Sequence, residues 1–113
     1  MRIGIAAGLL VIGVGAAHAQ GSFDGVYRAP PGGTAGNARC ATTMFAYPLR
    51  VTNGVASLMT VSSGELQGPV GPDGSLSLRQ GVAALDGRIS GGRFTGNLVV
   101  GRQGCAFSLQ YSK

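Results

Sequence analysis

Tryptophan is absent from this chain, and histidine occurs once, at position 18. Acidic side chains are scarce as well: four Asp and Glu stand against nine Lys and Arg. Each shortage excludes chemistry. His18 lies ahead of a predicted processing site, so the mature chain has no imidazole to complete a Ser-His-Asp set or to bind a metal. A cysteine nucleophile would lack its base for the same reason. The two cysteines stand 65 positions apart, which rules out a C-x-x-C redox or metal motif. No basic run is interleaved with aromatic residues, which argues against nucleic acid as a partner. Beyond the first nineteen residues no window carries a 3.6-residue apolar stripe, so helices are not expected.

What is present begins with a leader. Arg2 is a short basic segment, Ile3 to Ala17 is small and apolar, and Ala17-His18-Ala19 is an A-x-A cleavage site. The expected organisation is a signal peptide over 1–19 and a single β-barrel-like domain over 20–113. The apolar segment is too short and too rich in Gly and Ala for a membrane anchor, so no transmembrane segment is expected in the mature chain. The expected location is the periplasm or the exterior of a bacterium. In that oxidising setting Cys40 and Cys105 are expected to form a disulfide, a staple that so small a domain often needs.

The remainder reads as short alternating segments separated by turn chemistry. Phe45, Tyr47, Leu49 and Val51 alternate with polar or small residues, and Asn53-Gly54 supplies a two-residue hairpin turn. Strands follow over Val55 to Val61, around Leu66 to Val70, around Leu76 and Leu78, and over Ala83 to Ile89. Phe94 to Val100 and Cys105 to Tyr111 complete the series, and a first strand lies around Phe23 to Arg28. Ala29 to Arg39, with Pro30-Pro31-Gly32-Gly33, reads as a loop. The fold class is therefore all-β: an eight-stranded antiparallel up-and-down meander forming a closed or flattened barrel. In a closed meander strands 2 and 8 both flank strand 1, so a Cys40–Cys105 bond would clamp the closure seam. Inward glycines at Gly68, Gly87 and Gly96 are read as sites of sheet curvature, with a ligand groove as the alternative.

The carboxylates read as structural. Asp24 and Asp73 look like turn residues, and Asp86, on an outer strand face, suits a cross-strand pair with an arginine. No catalytic residue, metal site or cofactor is expected. Nine bases, one of them in the leader, against four acids leave the mature chain at +4. Arg79, Arg88, Arg93 and Arg102 are a candidate anion-facing surface, against the plainer reading of a solvated charged exterior.

The segments Asp-Gly-Ser-Leu-Ser-Leu and Leu-Asp-Gly-Arg-Ile-Ser-Gly-Gly-Arg-Phe-Thr-Gly, with the late Cys105-Ala-Phe-Ser-Leu, resemble small exported bacterial β-meander proteins of unassigned function. In architecture the chain is similar to periplasmic barrels such as lysozyme inhibitors, protease inhibitors and avidin-like proteins. Avidin-like sites rely on tryptophan, which is missing here, and no inhibitor motif maps residue by residue. The expectation is an exported, non-enzymatic binding domain. One alternative is a periplasmic enzyme inhibitor using the loop Ala29 to Arg39. Another is an envelope-associated structural protein meeting anionic surfaces. The sequence leaves the partner unknown, with an envelope component or a periplasmic protein as the candidates.

Overall fold

A computed structural model describes residues 22–40, 43–61 and 63–113. The expected leader and cleavage site lie outside the described residues.

Turn chemistry sets the connections. Asn53 and Gly54 both take positive φ, 52° and 79°, as the tightest hairpin turn requires. That turn joins β4 (Leu49–Thr52) to β5 (Val55–Thr60). With β1 (Gly25–Tyr27) and β6 (Gly64–Pro69) these form an antiparallel sheet in the order β1-β4-β5-β6. A second sheet follows as a simple meander of β7 (Ser75–Gln80), β8 (Ala83–Ser90), β9 (Arg93–Val100) and β10 (Cys105–Ser112). Two short strands, β2 (Thr34–Ala35) and β3 (Met44–Phe45), form a separate ribbon, and a single 3-10 turn spans Ala38–Cys40.

Alternation decides what each strand buries. Leu76 and Leu78, Leu85 and Ile89, Phe94 and Leu98, and Phe107, Leu109 and Tyr111 point inward from the second sheet. Leu49, Val51, Leu58 and Leu66 meet them from the first, in one continuous core. Burying each such leucine contributes roughly 1.5–3 kcal/mol before the cost of ordering the chain.

Strands occupy all eight expected stretches, one of them split in two and a further strand added in the expected loop, and three readings need correction. First, the run from Phe45 to Val51 is not one strand. Pro48 has no N–H to return to β5, so the chain breaks there, β3 swings away to pair with β2, and Tyr47 ends up exposed instead of inward. Second, Ala29 to Arg39 is more than a loop, since it contains β2 and most of the 3-10 turn. Third, the sheets do not close into a barrel. Among the described residues, the end of β1 meets β10 in a single bridge at Arg28–Ser112, with backbone hydrogen bonds of 2.8 and 3.1 Å, and the next bridge to β10, Gly36–Phe107, comes from the segment after β2. Between these bridges Pro30-Pro31-Gly32-Gly33 carries the chain off the edge of β10, in a turn closed by a Gly33 N–H to Pro30 carbonyl bond of 2.9 Å. Prolines cannot supply the missing ladder donors.

Candidate functional site

The break at Pro48 creates the most distinctive surface of the domain. β4 and β5 are paired from the hairpin as far as Leu49 and Leu58. Beyond that point β3 follows β2 while β5 continues beside β6, and the two strands diverge like the arms of a fork. Between the arms lies an open cleft of about 160 Å³. Phe45, Phe107, Val100 and Cys105 are among its lining residues, with Met44, Tyr47 and Val61. Phe45 packs on Phe107 with ring centroids 5.5 Å apart, and Tyr47 meets Phe45 edge-on at 5.6 Å. Met44, Tyr47 and Val61 are large apolar side chains left 58%, 42% and 86% exposed, and they cluster here. Such clustering marks an interaction site more often than scattered exposure does.

The disulfide supports this end of the molecule. Cys40 and Cys105 are bonded, with Cα atoms 5.6 Å apart, where the 3-10 turn meets the start of β10. Arg39 donates from Nη1 to the Gln103 carbonyl, and Asn37 donates from Nδ2 to Gly104 at 3.3 Å. These bonds fasten the segment before β3 to the turn before β10.

The four arginines expected to face anions are not gathered together. Arg79 donates to both oxygens of Asp86, at 3.1 and 3.2 Å. Arg88 lies 3.8 Å from the Asp73 carboxylate and donates from Nε to the Asp73 carbonyl at 3.2 Å. Arg93 begins β9, while Arg102 lies in the turn that follows it, so the two sit at opposite ends of that strand. Arg39, which the sequence did not single out, stands beside the disulfide instead.

Each of the four described Asp and Glu carboxylates accepts a hydrogen bond. Asp24 reaches across to accept from the backbone N–H groups of Asn53 and Gly54 at 2.8 and 3.1 Å, tying β1 to the β4–β5 hairpin. Asp73 accepts from the hydroxyl and backbone N–H of Ser75, and those bonds hold its carboxyl below the usual range. The hydroxyl of Ser77, then Arg79, does the same for Asp86. Glu65 accepts from the Ser57 hydroxyl. None of the four lines the fork, and among the described residues no three of His, Cys, Asp and Glu come together. Among the described residues no helix is long and apolar enough to cross a membrane.

Sequence reasoning missed the fork because Tyr47 fits the alternation of Phe45, Leu49 and Val51. The available signal was Pro48, which demotes a central strand to an edge or a break. Comparison with protein-family profiles, curated proteins and solved structures finds no match to this chain.

Proposed function

We propose that this is an exported, non-enzymatic binding domain that receives an apolar group in the cleft between β3 and β5. The observation that carries this reading is the coincidence of an open apolar cleft with three exposed large apolar side chains at its rim. The engagement of every carboxylate in a turn or cross-strand contact supports a binding role over catalysis. The disulfide supports export, because such a bond persists in an oxidising compartment. Intact-mass analysis of the exported protein is expected to show cleavage after Ala19; a mature form that keeps Met1 would sink the export reading.

Binding is tested with the neutral dye N-phenylnaphthylamine. Its fluorescence should rise on mixing with the folded protein. It should not rise with Val100→Phe, which fills the cleft, and should rise less with Val61→Asp, which charges the rim. An equal rise with all three proteins would place the dye elsewhere and remove the reading.

The enzyme-inhibitor alternative keeps one observation in its favour. The exposed Pro30-Pro31 turn is held on one side by the Arg28–Ser112 bridge and on the other by the β2–β3 ribbon and the disulfide. A segment constrained in this way would lose little entropy on plugging a partner's site.

A further inference from the structure

We propose that the occupant of the fork is an extended segment of an acidic partner protein, added as a strand along the free edge of β3. The proposal rests on the apolar-cleft reading and names the ligand class for it.

Backbone direction is the first ground. Phe45 is paired with Thr34, and Gly36 donates to the Thr43 carbonyl, so Thr43 and Phe45 turn their main-chain groups toward β2. In an antiparallel ladder the intervening residues turn theirs the other way. Met44 and Ala46 therefore direct N–H and C=O groups into the fork, where among the described residues no strand pairs with β3. Continued by one residue, the β4–β5 register would set Pro48 opposite Met59, and Pro48 has no N–H to give a strand there. An acyl chain would leave these groups unanswered, whereas a polypeptide strand answers them while placing alternate side chains over the cleft.

Charge is the second ground. Arg79 and Arg88, on the second sheet, are matched by Asp86 and Asp73. Six other described cations, Arg28, Arg39, Arg50, Arg93, Arg102 and Lys113, have no ion pair with a carboxylate; of these, Arg39 adjoins Cys40 in the chain and Arg102 lies in the turn leading into Cys105, which lines the cleft. The cleft's own lining includes no acid. A segment alternating apolar with acidic or neutral polar residues complements both features.

The probe is the capped peptide Glu-Val-Thr-Phe-Thr-Val-Glu, together with two isomers N-methylated on one or the other alternate set of amides and a version with Lys for Glu. Binding is followed by amide NMR and hydrogen exchange on the disulfide-bonded protein. The parent peptide should shift and protect the amides of Met44 and Ala46. One methylated isomer should bind roughly tenfold more weakly, since it lacks the strand-facing donors, and the other should bind as the parent does. The Lys version should bind more weakly than the parent, and Arg102→Glu should reverse that order. If the dye binds but the peptide does not, the strand inference falls and the apolar-cleft reading survives. If neither binds, both fall. Equal binding of both methylated isomers, or sodium dodecanoate binding in place of the peptide, would overturn strand addition. Indifference to the Glu-to-Lys change would overturn the acidic partner.

Discussion

Gly87 and Gly96 stand directly opposite one another on β8 and β9, and the ring of Phe94 lies over both. A Cβ on Gly87 would come within 2.6 Å of that ring and of the Thr95 carbonyl. A Cβ on Gly96 would come within 2.5 Å of the Asp86 carbonyl. The space the sequence left open for a ligand groove at these positions is filled by the protein's own aromatic side chain. Phe94 in turn meets Tyr111 edge-on, with centroids 6.3 Å apart, at the centre of the core.

Gly87→Ala and Gly96→Ala should therefore each destabilise the domain by about 1–3 kcal/mol, the usual cost of overpacking. Urea titration checks this. Full stability in both variants would mean that the ring moves freely and that the pair is not a packing device.

Reduction of the Cys40–Cys105 bond, or Cys40→Ser, should cost up to about 4 kcal/mol, because the bond closes a loop of 65 residues in the unfolded chain. Thiol titration of unfolded, unreduced protein should find no free thiol. Reduction should also release the segment before β3, so dye binding at the fork should fall before the whole domain melts.

The Tyr111 hydroxyl is buried without a hydrogen-bond partner among the described residues, and burial pushes its phenol well above the ordinary value of 10. The folded state thus keeps a proton that the unfolded state gives up above that pH. Stability is complete below about pH 10 and is lost as pH rises beyond it. Tyr111→Phe should equal or exceed the parent in stability at neutral pH and flatten the alkaline fall. A strongly destabilised Tyr111→Phe would show that the hydroxyl has a partner in solution.

Asp73 and Asp86 behave in the opposite sense. Their carboxyls are held below the ordinary value of 3.8, so the stability they contribute is present above that pH and is lost as pH falls through their folded values. Arg79 and Asp86 are each 57% exposed, so the pair contributes less than about 1 kcal/mol. Changing Arg79, Arg88, Arg93 and Arg102 together to Gln should leave the Tm nearly unchanged and soften the acid loss slightly. Retention on an anionic matrix should also weaken, most clearly at low salt. Failure of the quadruple variant to fold would show that one of these arginines is a buried structural partner.

Local rules were enough to read the period-two alternation from Val55 onward and the turns at Asn53-Gly54, Asp73-Gly74 and Gly91-Gly92. Positive φ and pleat direction are properties of a few consecutive residues, so the sequence carries them openly. The partners of the carboxylates were half legible: Asp86 suggested an arginine, yet only the β7–β8 register sets Ser77 opposite it and brings Arg79 to it on the diagonal. Asp24 read as a turn residue of its own segment, but it caps the Asn53-Gly54 turn 29 and 30 positions away.

By itself, then, the sequence determined an all-β antiparallel domain, the position of its turns, most of its core and the two cysteines available for a bond. Tertiary structure alone decided how β3 leaves β5 at Pro48, where the excursion of Pro30-Pro31 interrupts the seam with β10, and which arginines meet acids. These outcomes depend on pairings between strands far apart in the chain. A missing N–H at one proline is a local fact, but the pairing of the freed segment with β2 joins residues ten or so positions apart and forms only in the folded chain.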